Sequence, residues 1–175
     1  MPSQTAGVGS ARYAVLDAAR DYLTVGLART VCEHHANLFA GPRARALEHV
    51  APHLFRSDPH AILWEVALAP KPAYVGILIE APLTLDELRA HLRRFLTVRR
   101  QRDGRAVYFR YYDPRILVPF LPSCTPDELA AFFGPIHAFH CQADYPSQVR
   151  SFWLSEGTLA TADTSTSGFI ARVRT

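Results

Sequence analysis

The stretch Tyr74–Val98, YVGILIEAPLTLDELRAHLRRFLTV, decides the fold class. Its first part, Tyr74 to Ile79, is continuously apolar and partly β-branched, the composition of a central strand covered on both faces. Thr84 and Glu87 then stand three apart, a capping box that starts a helix. Leu85, Leu88, Leu92, Phe95 and Leu96 follow at helical spacing, with Arg89, Arg93 and Arg94 turned the other way. A doubly buried strand followed at once by a one-faced helix predicts helices packed on a sheet.

Working outward, the same alternation continues. Upstream, Tyr13–Leu16 reads as a short buried strand, Tyr22–Val31 as a helix, Ala36–Phe39 as a strand, Arg43–His49 as a helix and His53–Ser57 as a strand. Asp58-Pro59 has the form of an N-cap with proline in the first turn, opening a helix through Leu68, and Lys71-Pro72 breaks the chain. Downstream, Asp103-Gly104 predicts a type I′ hairpin turn between Thr97-Val98 and Ala106–Tyr111. Asp113-Pro114 caps a helix carrying Ile116, Leu117 and Phe120, which Pro119 keeps short, kinked or partly 3₁₀. Thr125, Pro126 and Glu128 form a second capping box ahead of Leu129, Phe132 and Phe133, and Gly134-Pro135 ends that helix. Ile136–Cys141 and Val149–Leu154 read as strands, Glu156-Gly157 as a turn, and Thr158–Gly168, rich in threonine and serine, as a mobile loop. The expectation is one α/β (mixed α+β) domain with a mixed sheet: a flexible start over 1–10, the folded unit over 11–155, and a partly flexible extension over 156–175.

Bulk properties narrow the function classes. At 175 residues the chain can bury a core without metal or disulfides, and its 49% hydrophobic and 20% charged residues suit an ordinary globular protein. The net charge of +3 is too small to imply nucleic acid by itself. Three cysteines, Cys32, Cys124 and Cys141, are an odd number without CxxC spacing, which fits a reducing cytoplasm. The apolar runs fall short of the ~20 residues a membrane helix needs, so no membrane insertion is expected.

The chemistry-bearing residues point to architecture. In RYYDPR, Asp113 caps a helix, and Arg110 and Arg115 can bond it or a carboxylate at the end of a neighbouring strand, such as Asp17. Flanking arginines depress a carboxylate pKa instead of poising it near neutrality, which argues against Asp113 as general acid or base. Alternation puts Cys32 with His34 and His137 with Cys141 on common faces, and His49 and His53 have helix-like spacing across Pro52. None has metal-site spacing around it. Cys124 precedes a helix start without an identified base. No GxSxG, P-loop or GxGxxG motif occurs. The arginines from Arg89 to Arg105 read as a solvated face or a partner contact, since no aromatic interleaving supports base stacking.

Taken together, YAVLDAAR, LFAG, APHLFRSDP, TLDELRAHLRRFLTV and DGRAVYFRYYDPRILVPFLPSCTPDELAAFFGPI resemble the bacterial type VI secretion effector adaptors, or effector chaperones, catalogued as a domain of unknown function. The resemblance runs from about Tyr13 to Phe139. It implies a bacterial cytoplasmic α/β domain that is not an enzyme, needs no cofactor or metal, and binds a cognate effector, usually by its N-terminal region, for loading onto the valine-glycine-repeat spike protein, VgrG. Asp17, Arg110, Asp113, Pro114 and Arg115 become signature positions of structural character. Arg89, Arg93 and Arg94 are expected to rim a cargo groove. The alternatives are a small hydrolase or transferase using Asp113 with a histidine, and a nucleic-acid-binding module.

Overall fold

A computed structural model describes residues 10–58, 62–69, 74–100, 102–143 and 147–174. In chain order these form β1 (Ala11–Asp17), α1 (Tyr22–Val31), β2 (His35–Asn37), α2 (Gly41–Ala46), β3 (Pro52–Arg56), α3 (Ile62–Ala67), β4 (Gly76–Ala81), α4 (Leu85–Arg93), β5 (Thr97–Arg99), β6 (Ala106–Tyr108), α5 (Pro114–Phe120), α6 (Pro126–Phe133), β7 (Ala138–Gln142), β8 (Gln148–Ser155), β9 (Thr158–Ser165) and α7 (Thr166–Val173). Short 3₁₀ turns cover Glu48–Val50 and Leu121–Ser123. The class is α+β. The sheet within it runs β2-β3-β1-β4-β7-β8-β9 with every pairing antiparallel, so the expectation of a mixed sheet is corrected. The prediction of a mixed sheet failed because pairing direction is set by long-range contacts that local periodicity does not carry.

Alternation along the central strands builds two cores. Tyr13 and Val15 of β1 and Ile77 and Ile79 of β4 face the larger one, where Leu88 and Leu92 of α4, Leu117 of α5 and Leu129, Phe132 and Phe133 of α6 close over them. Ala14, Leu16 and Leu78 face the opposite core under α1, α3 and α7. The sheet is therefore covered on both sides, as the apolar run in β4 requires. Phe132 is the centre of the larger core: its ring lies 5.0 Å from Phe95, 5.4 Å from Phe120, 5.7 Å from Tyr111 and 5.2 Å from Phe139.

Both capping boxes form, each with Thr side chain and Glu side chain bonded reciprocally to backbone N–H groups. After α6, Gly134 takes φ +50°, and a Cβ there would meet His91 Cε1 at 2.6 Å, so the chain can turn only at glycine. Pro119 stands inside α5, which ends after seven residues and passes into the 3₁₀ turn. Asp103-Gly104 lies in a hairpin, but a wider one than expected. Arg100 and Arg105 close it, Gly104 N–H donates to Arg100 O at 2.8 Å, and among the described residues only Tyr74 and Glu156 are non-glycines with positive φ, so Asp103 is not part of a type I′ pair. Tyr74 and Val75 precede the strand instead of beginning it.

The largest correction is at the C-terminal end. Thr158–Gly168, expected as a mobile loop, is β9 plus the start of α7, and β9 pairs with β8 from Ser155↔Thr158 to Gln148↔Ser165. Glu156 (φ 51°) and Gly157 (φ 76°) make the type I′ turn that joins the two strands. Phe169 of α7 stacks on Trp64 of α3 at 5.6 Å and lies 4.9 Å from the ring of His140 in β7, which fixes the helix to α3 and to the sheet. The expectations placed on residues 1–9, Pro59 and Lys71-Pro72 lie outside the described residues.

Candidate functional site

The charged residues of the sequence motif gather at the carboxyl end of β1. Asp17 there is 1% exposed at its side chain, and its Oδ2 accepts a hydrogen bond from Arg110 Nη2 within an ion pair. Its Oδ1 accepts from the Ala19 N–H at 3.0 Å. Asp113, at the N-cap of α5, accepts from the Arg115 backbone N–H at 3.0 Å, from Nε at 2.9 Å and from Nη2 at 2.6 Å. Pro114 occupies the first helical position, where its missing N–H leaves no donor unpaired. Two carboxylates and two guanidiniums thus neutralise one another over the end of the larger core.

Electrostatics follow from that packing. Burial pushes the Asp17 carboxyl up, and the bond to Arg110 only partly offsets it. Burial also acts to raise Asp113, but there the side-chain and backbone bonds from Arg115 win and hold it below the usual carboxylate value. The adjoining Tyr111 and Tyr112 phenols are both pushed up by burial. Tyr111 donates to Leu92 O at 3.1 Å, which ties the corner to α4.

The arginines of α4 divide. Arg89 donates from Nε to Asn37 O at 2.8 Å and from Nη2 to Phe39 O at 3.1 Å, so it fastens α4 to β2. Arg94 Nη2 donates to His91 Nδ1 at 2.6 Å, while His91 Nε2 donates to Phe132 O at 2.8 Å, an arrangement that requires neutral His91. Arg93 is exposed. Arg94 is exposed as well and Arg89 is half-buried, so Arg89 and Arg94 make bonds within the fold while part of this basic face meets solvent.

Other candidates are absorbed by packing. Cys32 Sγ lies 3.1 Å from Arg56 O and 3.4 Å from His34 O. Burial pushes the Cys124 thiol up to about 11, far from a reactive thiolate. His140 is lowered to about 3 by burial and then by Arg172, and its Nδ1 lies 2.8 Å from Ser151 Oγ. His53 Nε2 faces Glu48 O at 3.4 Å. Among the described residues no group of three or more His, Cys, Asp and Glu side chains comes together in a way that could hold a metal ion, and no helix is long and apolar enough to cross a membrane.

Two surfaces were missed in the sequence. On α1, Leu23, Leu27 and Val31 recur every fourth residue and are 76%, 68% and 55% exposed, beside Tyr22 at 56%. The spacing was visible, but Val25 and Ala28 supply the buried stripe of that helix and the second one went unread. The other is the outer edge of β9, whose small polar residues gave no apolar alternation to detect.

The family model described as "Domain of unknown function (DUF4123)" matches residues 12–131. No curated protein and no solved structure matches the chain. The matched span holds the charged corner and α1 to α5. Strands β7, β8 and β9 and helix α7 lie beyond it.

Proposed function

The chain belongs to this DUF4123 family, which is associated with type VI secretion effectors, and from that premise we propose that it is an effector adaptor. In this reading it binds a cognate effector, through the effector's N-terminal region, keeps it soluble in the bacterial cytoplasm and assists its loading onto the VgrG spike. It acts by binding and not by catalysis. The observation that carries the reading is the family match over residues 12–131.

Two features of the molecule support it. The motif residues that a hydrolase or transferase would use are spent on one another, with Asp113 held ionised by three bonds from Arg115. At the same time α1 exposes a ridge of large apolar side chains of the kind that marks protein-contact surfaces. Nucleic acid is a poorer match: Arg100, in the basic stretch after α4, is paired with Asp103.

The test is co-expression with each toxin-like protein encoded beside the chain's own gene, followed by purification and mass determination. A complex of defined mass that holds the toxin in solution is the expected result. Separate purification, with no effect on solubility for any of them, overturns the adaptor reading and returns attention to catalysis.

A further inference from the structure

The two edges of the sheet are finished differently. Strand β2 has three residues, and Arg89 covers the carbonyl that Asn37 turns away from β3. Strand β9 is eight residues long and stands last in the strand order. Its type I′ turn makes Ser155 and Thr158 a pair that exchanges both backbone hydrogen bonds, and every second pair after it does the same. Thr166 N–H donating to Ser147 O at 2.8 Å keeps that phase to the end of the strand. The N–H and C=O groups of Leu159, Thr161 and Asp163 therefore point away from β8, and among the described residues no strand pairs with them.

Exposed edges are ordinarily blunted by lysine, proline, a bulge or an unpaired charge. Strand β9, TLATADTS, has no lysine, arginine or proline, and its register to β8 is unbroken. Its one charge, Asp163, is neutralised by Arg150 through two bonds of 2.8 Å. Such an edge states the geometry of its occupant: an extended chain offering alternating acceptors and donors.

A second copy of this chain fits poorly. Antiparallel self-pairing centred on Thr161 sets Leu159 of one copy against Asp163 of the other. Centring on Ala162 sets Leu159 against Ser165, and centring on Asp163 sets two carboxylates face to face. No long register matches Leu159, which packs with Leu154 at the margin of the larger core, to an apolar partner.

Resting on the adaptor reading, we propose that the outer edge of β9 at Leu159, Thr161 and Asp163 receives an extended segment of the effector as an eighth strand, with an apolar side chain opposite Leu159. The site lies outside the span matched by the family model, so it makes cargo recognition a property of this chain's own C-terminal part.

The test uses the full chain, co-expressed with the toxin-like proteins encoded beside its gene. Thr161→Pro removes an outward N–H without touching the β8 ladder, and Thr161→Lys places a lysine on the edge. Expected is a complex for the unaltered chain and binding weakened about tenfold or more by both variants, with Tm unchanged within ~2 °C. Should Thr161→Pro fail to fold, Thr161→Lys decides alone. A complex retained at full affinity by a folded variant overturns the edge site and leaves the adaptor reading standing. No complex for the unaltered chain with any candidate overturns both. A dimer of the unaltered chain that Thr161→Lys dissociates in sedimentation makes the edge a contact between copies and overturns the effector assignment.

Discussion

One edge of this sheet is closed and the other is open, and the closure is done by a residue that the sequence suggested for cargo binding. Arg89 reaches from α4 to the carbonyls of Asn37 and Phe39 beside β2. Along Thr158–Ser165 the arginine contacts go to side chains: Arg150 pairs with Asp163, and Arg172 reaches the Thr164 hydroxyl at 3.5 Å. The difference teaches where to look for function in a chain without catalytic signatures. The half of the molecule with the conspicuous motif is finished architecture, and the half with the plain sequence keeps unused bonding capacity.

Breaking the closed half should give the largest effect on stability. Asp17→Ala removes the bonds from Arg110 and from the Ala19 N–H but leaves a guanidinium that is 39% exposed, and about 2 kcal/mol is expected in urea unfolding. Asp113→Ala removes a cap and the Arg115 bonds together, and about 2 kcal/mol is expected. Neither should weaken effector binding by the folded fraction.

Acidity probes the open half, because His140 sits on β7 with its ring 4.9 Å from that of Phe169. Its folded pKa, about 3, is below the unfolded value, so its contribution is complete above ~6.5 and is lost as pH falls toward 3. From pH 7 to 5 the loss expected from this group is about 2 kcal/mol. His53 and His91, both lowered chiefly by burial, act in the same direction. Asp113 adds its loss only below the ordinary carboxylate range, and Asp17, raised, acts in the opposite direction there. His140→Phe should flatten the stability profile between pH 7 and 5; an unchanged slope would reject this origin.

Smaller effects sharpen the contrast between the edges. Arg89→Ala should cost about 1.5 kcal/mol and, by uncovering β2, raise self-association measured by light scattering. Thr161→Lys should change stability by less than ~0.5 kcal/mol, because Thr161 is exposed on an edge.

Much of the finished half was legible. Thr84 with Glu87, Thr125 with Glu128 and Asp113-Pro114 are local signals that state their own bonding, and each forms as read. The central strand was legible because burial on both faces leaves an unbroken apolar run. Direction and order of the strands were not, since Tyr13 pairs with both Arg56 and Ile79 across long separations that no local pattern records. Strand β9 was read as a loop because an edge strand with small or polar residues over most of both faces lacks the alternation that burial imposes. The bonds of Arg89 were not legible for a related reason: helical spacing says which way a side chain leaves its helix, and not which carbonyls a long guanidinium reaches.

The most direct measurement is amide hydrogen exchange on the chain alone and in its effector complex. The account predicts that Leu159, Thr161 and Asp163 exchange fast alone and become protected in the complex, while Ala160 and Ala162, bonded to β8, are protected in both. New protection confined to α4 or to the Arg110–Arg115 corner, with the three outward amides still exchanging freely, would contradict it.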